Sequence, residues 1–348
     1  MTSAEPPARP ARVTGPCRVV RADRGALLVV PADDLGAAPV RVGLDRDGLV
    51  PLDASRVPPT VGDLVEVEQP DDRTPAHVAR LHPRRTALVR DSAGRTSLPQ
   101  VLAANVDVVL VVEHLDPDPD LGRVERLLTL AWRSGATPVV VLTKADLVPD
   151  PAGMAADVAG VALGVDVHAV GVPTGYGLEP LRALLGPGVA LVAVGPSGAG
   201  KSTLVNALAG REVMATGERR GDGRGRHTTT HRELVPLAGG AVLVDTPGIR
   251  GVGLVADADA LDATFADVAA LAARCRFRDC AHRAEPGCAV REALESGALD
   301  ARRYDSWRRL AKEAAWQARR SDARLAAEER ARWRRATREY HRDVRTRP

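Results

Sequence analysis

The chain has 348 residues, 45% of them apolar and 3% aromatic, so it is long enough for two or three domains whose cores must be built from Val, Leu and Ala. The formal net charge is +3, but residues 302–348 carry 16 Arg or Lys against 7 Asp or Glu, which leaves the rest of the chain slightly acidic. No apolar run approaches the roughly 18 residues of a membrane span, and MTSAEPPARPAR has no apolar stretch of the secretory kind, so a cytoplasmic protein without a membrane partner is expected.

In chain order, residues 1–12 read as a disordered lead. Residues 13–80 hold short alternating apolar runs, CRVV, ALLVV, PVRVGL and LVEVE, separated by Gly, Pro and Asp. That pattern predicts a small all-β unit, a five-stranded barrel of the OB type. From about 101 the pattern changes. VDVVLVVEHL (106–115), TPVVVLTKAD (137–146), VDVHAV (165–170) and VALVAVG (189–195) are near-continuous apolar strands followed by helical stretches, and HRELVPL (231–237) and AVLVD (241–245) come after them. Buried strands alternating with helices predict a mostly parallel sheet covered on both faces. A third composition, rich in Ala, Arg and Cys, begins near 257 and predicts helices ending in a basic arm. The expected domains are thus 13–80, 81–256 and 257–348.

Three segments carry chemistry. GPSGAGKS (195–202) fits G-x-x-x-x-G-K-[ST], a loop whose backbone N–H groups turn around phosphate oxygens. Gly195, Pro196, Ser197, Gly198, Ala199 and Gly200 would form the cradle. Lys201 would neutralise the β- and γ-phosphates, Ser202 would offer a hydroxyl to Mg²⁺, and Thr203 continues the helix whose positive end faces the anion. DTPG (245–248) ends a buried strand, placing Asp245 to hold Mg²⁺ through water and the Gly248 N–H to sense the γ-phosphate. TKAD (Thr143, Lys144, Ala145, Asp146) also ends a strand. A carboxylate there accepts from N1 and N2 of guanine, whereas adenine offers an acceptor at N1 and no N2 amine, so the motif selects GTP and GDP. Thr143 in place of the commoner Asn is expected to cost an amide tie between this loop and the phosphate loop.

The order is rotated. An ordinary GTPase runs phosphate loop, switch, DxxG, then [NT]KxD, whereas here TKAD comes about 50 residues before the phosphate loop. Numbered as in the ordinary fold, the strands thread 4-5-6-1-2-3. Packing depends on which strands are neighbours and not on where the chain is cut, so the same site can form.

Cys275, Cys280, His282 and Cys288 have the spacing C-x4-C-x-H-x5-C. Three thiolates and an imidazole make a closed tetrahedral set for one structural Zn²⁺, with no open position for catalysis. Cys17 stands alone and reads as a small apolar core residue. The basic arm points to a polyanionic partner such as RNA, the alternative being a solvated helix with i,i+4 ion pairs.

The rotated order, with RRTALVR (84–90), QVLAANVDVVLVV (100–112), TKADL, GPSGAGKSTLVNAL, GRGRHTTTHREL (223–234), DTPGIR and CRFRDCAHRAEPGCAV (275–290), resembles the circularly permuted, ribosome small-subunit-dependent GTPase family of bacteria. The resemblance covers roughly residues 15–345. It implies an OB barrel, a permuted GTPase domain and a zinc-bearing helical domain. It also implies a Mg²⁺-dependent GTP phosphohydrolase that binds the small (30S) subunit through 16S rRNA late in its maturation, with subunit-stimulated turnover. A monomer with no DNA partner is expected.

GRGRHTTT then occupies the switch position, where Thr228 or Thr229 would close over Mg²⁺. Ile249 stands where Ras-type enzymes carry a water-orienting Gln. His227 is the nearest residue in sequence able to position water, its other reading being a solvent- or RNA-facing switch residue. Ile249 also leaves room for a binding protein that holds nucleotide structurally, which GTP turnover with and without subunits would distinguish. An RNA-stimulated ATPase would require ATP to compete equally with GTP. Gly171 and Val172 replace the Ser-Ala pair usual near guanine O6, though the Val172 N–H could serve. The barrel segment has no Phe, Trp or Tyr and 11 acidic against 8 basic residues, so base stacking on it is not expected.

Overall fold

The computed structural model describes residues 13–69, 71, 74–90, 100–214, 232–245 and 257–317. It divides into two compact units, Met1–Gly253 and Leu254–Pro348. Among the described residues no helix is long and apolar enough to cross a membrane.

The first unit begins with β1 (Gly15–Asp23), β2 (Ala26–Pro31), β3 (Val40–Gly43), β4 (Val50–Leu52), β5 (Ser55–Val57), β6 (Leu64–Glu68) and β7 (His77–Leu81). The barrel order is β1-β2-β3-β7-β6, closed by β6 pairing back onto β1. β3 and β7 are parallel and the other neighbours antiparallel, while β4 and β5 form a separate hairpin. This is a five-strand closed barrel of the OB kind. Cys17, Val19, Leu27, Val29, Val42, Val65 and Val67 alternate inward to fill it without aromatics.

β8 (Ala87–Arg90) and β9 (Gln100–Ala104) form an antiparallel pair that the apolar pattern did not announce. Then follow β10 (Val108–His114), α1 (Leu121–Ser134), β11 (Thr137–Thr143), α2 (Pro151–Ala159), β12 (Asp166–Val170), α3 (Glu179–Ala183), β13 (Ala190–Val194), α4 (Lys201–Ala209), β14 (Glu233–Pro236) and β15 (Val242–Asp245). Their sheet order is β12-β11-β10-β13-β15-β14, with every neighbour parallel except β14 against β15. The near-continuous apolar strands are buried on both faces. Val109, Val111, Val140 and Val192 meet α1 on one side, while Leu110, Val112, Val141 and Leu191 meet α4 on the other. α1 starts at Asp120, whose side chain accepts from the Arg123 N–H, and stops at Gly135 in the left-handed region.

β14 also pairs with β1 at Arg21 and Glu233, so the barrel strands and the mostly parallel strands join in one eleven-stranded sheet. A buried polar joint supports this junction. Asp63 has no exposed side-chain surface. It accepts from Arg84 Nε and Nη2 at 2.7 and 2.8 Å and from the Thr60 N–H at 2.7 Å. Asn105, left-handed at φ 52°, donates to the Gly62 carbonyl at 3.0 Å and accepts from the Arg85 N–H at 2.9 Å. Burial holds the Asp63 carboxyl above its usual range despite Arg84 and Thr60. Arg84→Ala should therefore cost about 3–5 kcal/mol in denaturant unfolding near neutral pH, because it strands a buried charge. A raised folded value means the folded state holds the proton more tightly. The loss should thus shrink as pH falls through that value and Asp63 becomes neutral. A loss independent of pH would show that the ion pair is not its source.

The second unit contains α5 (Ala258–Thr264), α6 (Ala266–Ala272) and α7 (Ala289–Glu295), and residues 301–317 are also helical. Phe265, Val268, Val290, Leu299 and Leu310 form its core, against which Cys275, Cys280 and Cys288 pack.

Candidate functional site

The phosphate loop leaves β13 at Val194 and enters α4 at Lys201. Gly195 is needed where the loop passes β10, because a Cβ there would run into the Val112 carbonyl oxygen. Gly200 precedes α4 in the left-handed region, so the first N–H groups of the helix face the loop. Ser197 and Gly198 are exposed at its mouth, Ala199 is buried, and Pro196, Lys201 and Ser202 are half-buried. The Lys201 ammonium donates to the Gly195 and Pro196 carbonyls at 3.0 and 2.6 Å, which keeps it within the arc of the loop.

TKAD lies two strands away, since β11 neighbours β10 and β10 neighbours β13. Thr143 corrects the expectation of a lost tie. Its Oγ1 lies 2.8 Å from the Ala199 carbonyl and 3.2 Å from the Glu113 carbonyl, so a hydroxyl fastens this strand end to the phosphate loop. Lys144 adopts a left-handed conformation at φ 62°, and its Nζ donates to the Asp116 carbonyl at 2.9 Å. Ala145 is buried beneath the turn, and Asp146 is exposed. The following loop brings Gly171 against Tyr176 in an isolated bridge, with the Thr174 hydroxyl donating to the Gly171 carbonyl at 3.0 Å.

A second layer behind the site was missed from sequence. Glu113, one residue before the end of β10, is fully buried and takes Arg123 Nε and Nη2 at 2.6 and 3.1 Å. The bond to Glu113 holds the Arg123 guanidinium above its ordinary value. The pair locks α1 to the strand end whose carbonyls receive Thr143. A lone carboxylate in the apolar run VVLVVEH was the available signal.

Asp245 ends β15, next to β13 through the Val192 and Val244 register. Burial and then the nearby Glu233 charge raise its carboxyl above the usual range. A cation beside it would relieve both effects, so this carboxylate and the Ser202 hydroxyl suit a Mg²⁺ ion. Gly248, His227, Thr228, Thr229 and Ile249 lie outside the described residues, as does the arm 318–348.

In the second unit Cys275, Cys280, His282 and Cys288 bring their ligand atoms within 4.8 Å of one another. Cys275 Sγ lies 3.6 Å from His282 Nδ1 and 3.9 Å from Cys288 Sγ, and Cys288 Sγ lies 3.4 Å from His282 Nδ1. A tetrahedral zinc with ordinary bond lengths sets such edges at about 3.6–3.8 Å, so the set fits one ion bound through Nδ1. His282 reaches it from a left-handed backbone at φ 56°. Burial, then Cys288 and Cys275, push the Cys280 thiol up to about 11, a situation a divalent cation reverses.

A family model described as RsgA GTPase matches residues 81–255. The chain is 49% identical over 322 residues to a Streptomyces avermitilis protein named small ribosomal subunit biogenesis GTPase RsgA, covering 91% of this chain and 84% of that relative. A Listeria innocua relative, small ribosomal subunit biogenesis GTPase RsgA 1, is 42% identical over 88% of this chain and 86% of its own length. Among solved structures, YjeQ from Thermotoga maritima matches with a TM-score of 0.63 and 25% identity, covering 87% of this chain and 99% of its own. YloQ, described as a circularly permuted GTPase, matches in fold with a TM-score of 0.62 at 21% identity, covering 90% of this chain and 99% of its own.

Proposed function

The chain belongs to the RsgA GTPase family, and from that premise we propose that it acts in biogenesis of the small ribosomal subunit, binding the subunit through 16S rRNA late in maturation and hydrolysing GTP faster when bound. It works as a cytoplasmic monomer, without membrane or DNA partners. The observation that carries the reading is the meeting of TKAD and the phosphate loop across β11, β10 and β13, fastened by the Thr143 hydroxyl on Ala199. A guanine-selective carboxylate and a phosphate cradle then share one end of one sheet, where open α/β sheets bind ligands.

Each residue has a task in this reading. Asp146 accepts from guanine N1 and N2, and the Lys144 stem lies along the ring. Backbone N–H groups from Gly198 to Thr203 and the start of α4 hold the phosphates, and Lys201 offsets charge that moves onto the β–γ bridging oxygen as water attacks the γ-phosphorus. Ser202 and Thr228 or Thr229 would hold Mg²⁺ and Asp245 would reach it through water; when bound, the ion would supply further charge neutralisation at the phosphates. Gly248 senses the γ-phosphate. His227 is the proposed water-positioning residue, and its substitution by Ala should lower stimulated kcat more than GTP affinity. Cys275, Cys280, His282 and Cys288 hold one Zn²⁺.

GTP turnover with and without purified small subunits tests the reading, and a rise on adding subunits is the expected result. Unchanged turnover with intact subunit binding would favour a protein that holds nucleotide structurally. Lys201→Ala should lower subunit-stimulated kcat on the order of 10²–10³-fold, as removal of one donor from a developing charge does elsewhere. Near-normal single-turnover rates would reject the role given to the loop.

A further inference from the structure

The loop between Cys275 and Cys280 reads Arg276-Phe277-Arg278-Asp279 and sits on the four-ligand cluster. Phe277 is 41% exposed, in a unit whose other phenylalanine, Phe265, is fully buried. The ring is not loose. The Arg276 N–H donates to the Gly287 carbonyl at 3.1 Å, and the Arg276 stem lies against Gly287, where a Cβ would come within 3.2 Å of Arg276 Cβ. That packing sets the Arg276 guanidinium 5.5 Å from the Phe277 ring centroid. The ring is thus backed by a cation while much of its surface faces solvent.

The surrounding charge is cationic. Arg274, Arg276, Arg278 and Arg283 are all exposed. Of the two neighbouring carboxylates, Glu285 is turned into the loop. It accepts from the N–H groups of Ala281, Arg283 and Ala284 at 3.1, 2.7 and 3.0 Å, and its own N–H, then that of Arg283 and those of Ala281 and Ala284, draw its carboxyl down to about 2. Its charge braces the loop, and Asp279 is the other carboxylate of residues 274–287.

We propose that Phe277 is a stacking platform for an unpaired base of single-stranded RNA, with Arg274, Arg276, Arg278 and Arg283 holding the flanking phosphates. An exposed ring with a cation behind it and arginines around it suits the π-face that every base offers. A duplex keeps its bases stacked inside, so the platform selects unpaired segments. The proposal rests on the reading that the chain works on an RNA-containing particle and names the RNA feature that this surface takes.

The test uses the full chain and two probes, an oligouridylate of about 12 nucleotides and an abasic oligomer of equal length and charge. Phosphate contacts, including any from the arm, weigh equally on both. Wild-type protein should bind the base-bearing oligomer about tenfold more tightly, the size of one base–aromatic stack. Phe277→Ala should erase that preference at wild-type zinc content, and Phe277→Trp should keep it. If the Ala variant loses zinc, Phe277→Leu, which keeps bulk but not the ring, decides the same question. A preference that survives loss of the ring overturns the proposal. So does a wild type with no preference whose subunit binding nonetheless falls on Phe277→Ala, since that assigns the surface to a protein partner. Subunit-stimulated GTP turnover of the wild type is read separately, so failure of the stacking proposal leaves the functional reading standing.

Discussion

Replacing Asp146 by Asn is expected to turn the nucleotide preference from guanine toward xanthine. Guanine presents two donors on this edge, N1–H and the N2 amine, and a carboxylate accepts both. An amide accepts one and confronts the other with a donor of its own. Xanthine carries a carbonyl at C2, so the same amide accepts from N1–H and donates to O2. Two charge-assisted hydrogen bonds at about 1.5–3 kcal/mol each place the loss of GTP affinity on the order of 10²–10⁴-fold, and the gain for XTP widens the swing. The geometry favours a clean result. Asp146 is exposed on a turn whose fixed points are Lys144 in the left-handed region, its bond to the Asp116 carbonyl and the buried Ala145. None of these uses the Asp146 carboxylate, so the substitution should alter recognition and leave the turn in place. Competition of GTP and XTP against a fluorescent GDP analogue reads the ratio directly. An unchanged ratio would remove the guanine role from this motif.

The strands that carry the site were legible because their chemistry is local. A strand buried on both faces must be nearly all apolar, and TPVVVLT and VALVAV end at the TKAD turn and the phosphate loop, with VDVVLVV between them in the sheet. The rotated order was equally plain, since the order of motifs is a property of the string. The sheet order β12-β11-β10-β13-β15-β14 then shows why rotation is harmless: each motif-bearing strand has the neighbours it needs. What was not legible depends on partners remote in sequence. β7 reads His77-Val-Ala-Arg-Leu81 and its two apolar anchors, Val78 and Leu81, break the alternation; the register slips between Glu66 and Val67 where it pairs with β6. β8 and β9 are short, and Leu88 and Leu102 are buried in the cluster that holds Val109, Val111 and Val124, residues remote from them in the apolar pattern. Joining barrel to GTPase sheet rests on a pairing of Arg21 with Glu233 more than 200 residues on. Thr143 shows a different limit. Its residue type indicated a missing amide, but a hydroxyl 2.8 Å from the Ala199 carbonyl does the same fastening.

The second large effect is expected at Cys280, whose replacement by Ala should remove zinc and unravel residues 275–288 while the rest of the second unit keeps its helices. The division follows from what holds each part. Between α6 and α7 the backbone forms turns without a helix or strand, and the four ligand atoms supply its cross-links. Structural zinc of this class carries about 10–16 kcal/mol of apparent binding free energy near neutral pH. The helices have other support. Arg303 is buried, donates to Asp267 through Nε and Nη2 at 3.0 and 2.9 Å and to the Thr264 carbonyl at 2.8 Å, and lies over the Phe265 ring at 4.5 Å. That knot joins α5, α6 and the helical residues 301–317 without using the cluster. The Tyr304 hydroxyl on the His282 carbonyl and Trp307 edge-on to the His282 ring are the contacts that should loosen. The first unit is compact by itself, so GTP binding should be unaffected. Elemental analysis should give one zinc per wild-type chain and none in the variant, and amide exchange should accelerate over 275–288 far more than over 258–272. If exchange instead rose uniformly across the second unit, the metal would be holding the whole unit and the Arg303 knot would not suffice. If the variant kept its zinc, Cys280 would not be a ligand.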